Sequence, residues 1–175
     1  MRKIVASLFI SLDGVVEAPQ SWHFDWVDDQ LQEIISDSMR STGALLLGRH
    51  TYQEFAAHWS TAQGPMAEHF NTITKYVVSD SLTTVDWQNS QLISLAGLKA
   101  AREGEGRDIS VVGSATLVRS LLAADLLDEL SLLVHPVVVG SGARLFPDGS
   151  TGRKLTTVSG TTLRSGVLHV VYRPA

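Results

Sequence analysis

The chain of 175 residues contains no cysteine. Disulfides, thiolate nucleophiles and the cysteine-based zinc sites are thereby excluded. That usage leads us to expect a cytoplasmic protein. Charge is scarce too: charged residues make up 18% and the formal net charge is −4, with no block of one sign. Such a surface does not attract nucleic acid, and an anionic ligand has to be held by a local site. No apolar run is long enough to cross a bilayer, so no membrane is expected as a partner. None of the six histidines is paired with another at i,i+4 spacing, and no Gly-x-Ser-x-Gly elbow occurs. We therefore read neither a metal site nor a serine nucleophile.

What is present is an apolar fraction of 44%, enough for one well-packed domain over residues 1–175. The opening "MRKIVASLFISLDGVV" sets two basic residues before an apolar run. Ser7, Ser11 and Asp13 interrupt that run, so it reads as a first buried strand over 3–12 rather than a leader. Asp28 or Asp29 can cap a helix whose apolar face uses Leu31, Ile34, Ile35 and Met39. Gly43 reads as its stop, and Ala44–Leu47 as a second strand. Thr51 opens a helix packing Tyr52, Phe55, Ala56 and Trp59 inward. "KYVVSDSL" is a third strand, Leu92-Ile93 a weak one and Leu98–Glu103 a short helix. "DISVVG" and "LSLLVHPVVVG" read as buried strands on either side of a helix "SATLVRSLLAADLLDEL". The C-terminal "LTTVSGTTLRSGVLHVVYR" reads as antiparallel strands turning at Arg164-Ser165-Gly166. Strands alternating with helices make an α/β protein with helices on both faces of a mostly parallel sheet, finished by antiparallel strands.

In such a sheet, ligands sit beyond the carboxyl ends of the strands, where helix N-termini offer free N–H groups. Three strand ends carry suitable chemistry. Gly48-Arg49-His50-Thr51 supplies a tight turn, a guanidinium and a hydroxyl. Ser79-Asp80-Ser81 supplies hydroxyls. Gly113-Ser114-Ala115-Thr116-Leu117 supplies a small-residue loop that opens a helix. Each alone also reads as a turn or a cap; their placement on one sheet edge favours a shared anion site.

These motifs, "SLDG", "LGRHTYQEF", "KYVVSDSL", "VVGSATLVRSLLAADLLDEL" and "HPVVVGSGARLF", resemble in order the dihydrofolate reductase-like fold. They are most similar to the reductase domain of the bifunctional riboflavin-biosynthesis deaminase-reductase and its stand-alone relatives. The resemblance spans essentially the whole chain and implies a three-layer α-β-α fold that binds NADPH. It implies that Arg49 faces the 2′-phosphate, Thr51 lies near the pyrophosphate and Ser79 is on the 2′-phosphate side. Gly113 to Leu117 would form the loop around the pyrophosphate, and His50 belongs to the same Gly-Arg-x-Thr segment. Two positions depart from the pattern. Ser114 stands where the family has the second glycine of a Gly-Gly pair noted for a cis peptide, and Val112 stands where an acidic residue commonly faces substrate.

The implied activity is hydride transfer from NADPH to a small heterocyclic substrate: a 5-amino-6-(5-phosphoribosylamino)uracil-like riboflavin precursor or a pterin-like compound. The alternative is a non-catalytic NADP-binding or structural homodimer that keeps the fold. Asp13, after the first strand, and Asp28, at the first helix, are the acids in the region where a proton donor is sought; each also has a bland reading, as turn or cap. Trp22 and Trp26 could roof a planar substrate or belong to the core. The apolar strand "VLHVVY" points to a homodimer through the C-terminal region.

Overall fold

The computed structural model describes residues 1–175. Eight strands join one sheet: β1 (Ile4–Ser11), β2 (Thr42–Gly48), β3 (Thr74–Val78), β4 (Ser90–Leu92), β5 (Asp108–Val112), β6 (Glu129–His135), β7 (Leu155–Thr162) and β8 (Leu168–Pro174). Their spatial order is β4-β3-β2-β5-β1-β6-β8-β7. The first six in that order run parallel, and β8 and β7 are antiparallel. Five helices connect them: α1 (Asp29–Ser41), α2 (Arg49–Trp59), α3 (Pro65–Thr72), α4 (Leu95–Glu103) and α5 (Ala115–Ala123). The mostly parallel sheet with an antiparallel end matches the architecture expected from the sequence. No helix is long and apolar enough to cross a membrane.

Side-chain alternation divides the sheet into two faces. Ile4, Ala6, Leu8 and Ile10 of β1 join Ile109 and Val111 of β5 and the apolar stripe of α5 in the main core, which also buries Leu98 of α4. On the opposite face the cover is split. Leu45 and Leu47 of β2 pack with Tyr52, Ile73 and Trp87 under α2 and α3. Leu133 of β6 packs with Leu31, and Phe9 and Ile34 join that cluster under α1. Between these two patches Ser7, Phe9 and Val112 are only half-buried. The gap over the central strands is where the cleft lies.

Several boundaries differ from those read in the sequence. Gly43 does not stop a helix; it lies inside β2, where an added Cβ would meet the backbone oxygen of Arg107 at 3.0 Å. The third strand does end at the Ser/Asp cluster, as read: Val78 is its last residue, and the Ser79 hydroxyl accepts hydrogen bonds from the Ser81 and Leu82 amides and starts a turn. The helix of α5 stops at Ala123 rather than running on through "DLLDEL". Asp125 adopts a left-handed φ of 54° there, and Leu126 and Leu127 turn into the core. β6 ends at His135, since Pro136 has no N–H to continue the ladder. Helix α3 has no counterpart in the sequence reading; Pro65 opens it at its first helical position.

Candidate functional site

A cleft of about 1410 Å³ opens at the carboxyl edge of the sheet. Gly48, Arg49, His50, Thr51, Ser79 and the whole loop from Gly113 to Leu117 line it. The three strand ends singled out in the sequence therefore meet in one place.

Close packing explains why these segments must be small. A Cβ on Gly113 would stand 2.9 Å from Oγ1 of Thr51, and one on Gly48 would collide with Oγ of Ser114. The turns that open α2 and α5 thus touch. Gly113 and Ser114 both have left-handed φ values, 63° and 50°, and the chain contains no cis peptide bond, so this pair is trans. Ser114 caps α5 by accepting a hydrogen bond from the Leu117 amide at 3.3 Å. Gly48 provides no such cap, so the first amides of α2 remain free for an anion. Arg49 is exposed beside them. Its guanidinium meets the Nε2 of its neighbour His50 at 3.2 Å and forms no ion pair, whereas Arg102 grips Asp128 with two bonds at 2.7 and 2.9 Å. Free amides, an unpaired guanidinium and hydroxyls on a glycine-shaped floor fit a phosphate-bearing dinucleotide.

The acids considered as proton donors are engaged elsewhere. The Asp13 carboxylate accepts hydrogen bonds from the Ser11 hydroxyl at 2.7 Å and from the amides of Val139 and Gly140 at 3.0 and 2.9 Å. These bonds, the Ser11 hydroxyl foremost, hold its pKa at about 2. Asp28 caps α1 through the Leu31 amide at 2.8 Å and also accepts from the Ser165 amide at 3.1 Å. The Leu31 amide is the main reason its carboxyl lies below the usual range. Both are ionised latches between segments. Neither lines the cleft.

Trp22 and Trp26 do not line it either. They pack edge-on against the buried ring of His135, with centroids 5.3 and 5.9 Å away. Part of their apolar surface is used in packing on that ring. The ring that this segment presents to the cleft is His23, which stacks on Phe9 at 4.6 Å. Burial, with the nearby His135 second, pushes its imidazole below its ordinary 6.5.

The far wall was not assigned in the sequence. Glu54 and Phe55, one helical turn beyond Thr51, lie on the cleft with Trp59 of α2 and with Met66 and Phe70 of α3. Phe55 meets Phe70 edge-on at 5.4 Å, and Trp59 lies 4.8 Å from Phe70. The i, i+4 spacing of Thr51, Phe55 and Trp59 was the available signal, and it looks the same for a cleft wall as for a core stripe.

Comparison with known proteins bears on the family and the fold. A family model described as the RibD C-terminal domain matches residues 2–169. The uncharacterized protein YyaP of Bacillus subtilis (strain 168) is 28% identical over 180 residues, covering 98% of this chain and 94% of that protein. Among solved structures, a putative riboflavin biosynthesis protein from Shewanella sp. PV-4 superposes with a TM-score of 0.72 at 18% identity, over 99% of both chains. The dihydrofolate reductase of Enterococcus faecalis, complexed with NADP(H), superposes with a TM-score of 0.64 at 15% identity, over 98% of this chain and 96% of that one. At these identities the two structures bear on the fold alone.

Proposed function

The chain belongs to the RibD C-terminal domain family, and from that premise we propose that it is an NADPH-dependent reductase of a small heterocyclic substrate of the pyrimidine or pterin kind. The observation that carries the reading is the convergence of Arg49, Ser79 and the uncapped start of α2 on one cleft edge. When bound, NADPH supplies a hydride from its nicotinamide. Arg49 and the Ser79 hydroxyl take the 2′-phosphate, a contact NADH cannot make. The first amides of α2 and the Gly113–Leu117 loop take the pyrophosphate. Ser7, Phe9 and His23, which border the cleft over the central strand, confine the reactive end and exclude bulk water from one side.

The proton that accompanies the hydride comes from water entering the open cleft. Asp13 is held ionised by the Ser11 hydroxyl first and then by the Val139 and Gly140 amides, and Asp28 chiefly by the Leu31 amide; burial lowers the His23 imidazole, so none of the three is an acid at neutral pH.

The test is a panel of oxidised pyrimidines and pterins incubated with the protein and NADPH, followed by loss of NADPH absorbance. Turnover with at least one member is expected. NADPH binding without turnover on any member would favour a non-catalytic nucleotide-binding protein instead.

A further inference from the structure

The charges around the cleft are uneven in a way that bears on the substrate. Among all the residues lining it, Arg49 is the only arginine or lysine, while Glu17, Glu54 and Asp80 are acidic. On the reading above, on which this inference rests, Arg49 is committed to the cofactor. A phosphate monoester would add nearly two negative charges and needs cations or free amides to hold it. The starts of α2 and α5 are committed to the pyrophosphate. The start of α4, which also borders the cleft, is capped by the Ser94 hydroxyl, which accepts from the Gly97 amide at 3.0 Å.

Beyond the cofactor the cleft offers aromatic surface and negative charge. Phe55, Trp59 and Phe70 form one apolar wall, and the Phe9–His23 stack borders the cleft from β1. The carboxylate of Glu17 is occupied by the Ala143 amide at 2.7 Å. Glu54 makes no hydrogen bond or ion pair within the protein and stays available to a ligand.

We propose that the substrate is an unphosphorylated planar heterocycle, neutral or cationic, whose ring lies against the Phe55–Trp59–Phe70 wall with Glu54 facing its polar or positive edge. The phosphorylated uracil precursor suggested by family resemblance would meet carboxylates and no counter-charge.

The experiment uses the protein saturated with NADP⁺ and titrates, by calorimetry, a ribitylaminopyrimidine, its terminal phosphate ester and the cationic ring 2,4-diaminopyrimidine. The phosphate-free member is expected to bind at least about tenfold more tightly than its ester, since the phosphate would meet the cleft's carboxylates with no uncommitted cation to hold it. Glu54→Gln, at an exposed helix position that does not endanger folding, should weaken the cationic ring about two- to fivefold and leave NADPH affinity unchanged. Equal or tighter binding of the ester would overturn the proposal, as would failure of both rings to bind while the dinucleotide does. An unchanged affinity of the cationic ring in Glu54→Gln would overturn the role given to that carboxylate. Failure of the dinucleotide itself to bind is a different result, and it would overturn the cofactor reading beneath.

Discussion

The hydroxyl of Ser114 occupies the space that a β-carbon on Gly48 would need. These residues open different helices from different strands, so the cleft floor depends on both being small. Gly48→Ala should lower the melting temperature and weaken NADPH binding. Ser114 already has a φ of 50°, a conformation glycine adopts freely, so Ser114→Gly removes the clash and loses only the cap, a few tenths of a kcal/mol. The double variant should therefore recover much of the loss, with a coupling of about 0.5–3 kcal/mol. Additive effects would show that the two turns do not share this contact.

Asp13 should behave as a structural carboxylate. Its pKa in the folded protein, about 2, lies below the ordinary 3.8, so the folded state favours the ionised form. The stability it adds is present above its unfolded pKa and is lost as pH falls through that window. Asp13→Asn should therefore be less stable than the native protein at neutral pH, with the gap closing between about pH 4 and pH 2. NADPH affinity should not change. Denaturant titrations at stepped pH check this; a gap that stays constant on acidification would contradict it.

Lys75 is fully buried, with Nζ donating to the carbonyls of Phe70 at 2.6 Å and Ile73 at 2.8 Å and lying 4.3 Å from the Trp87 ring centroid. Burial pushes its ammonium from 10.5 down to about 8. Between those values the unfolded chain holds a proton that the folded protein has released, so stability rises with pH there. Relative to Lys75→Met, the native protein should gain stability from about pH 8 to about pH 10.5. Parallel curves for the two proteins would show that the amine is not desolvated.

How much of this was legible in the sequence depended on whether a residue's type matched its role. Asp28 as a helix cap, and the strand ends at Gly48, Ser79 and Gly113 that meet along one cleft, were readable because caps and tight strand-to-helix turns need those residue types at those junctions. Lys75 was not, because a lysine in "TKYVV" reads as surface unless the carbonyls at the end of α3 are known to surround it. Trp22 and Trp26 were ambiguous for another reason: a ring that roofs a cleft and one that packs on His135 have the same sequence signature. Glu54 was overlooked because an exposed helical glutamate gives no signal until α3 places Phe70 across from its neighbour Phe55.

The edge strand β7 should be an interface between two copies of this chain. Leu155–Thr162 holds no charged residue and no proline, the usual protections of an open edge, and Val158 on it is exposed. Light scattering is expected to give twice the chain mass, and Val158→Lys should shift the population toward monomer. A monomer at every concentration tested would contradict this.

The reductase reading is tested most directly by calorimetric titration of NADPH and NADH onto the native protein and Arg49→Ala. The native protein should bind NADPH with clear preference. Arg49→Ala should remove most of that preference, a loss of roughly 1.5–3 kcal/mol for one charge-assisted phosphate contact, while NADH affinity stays nearly constant. Equal affinity of the native protein for the two dinucleotides would contradict the assignment of the Gly48–Thr51 turn to the 2′-phosphate, and with it the proposed cofactor.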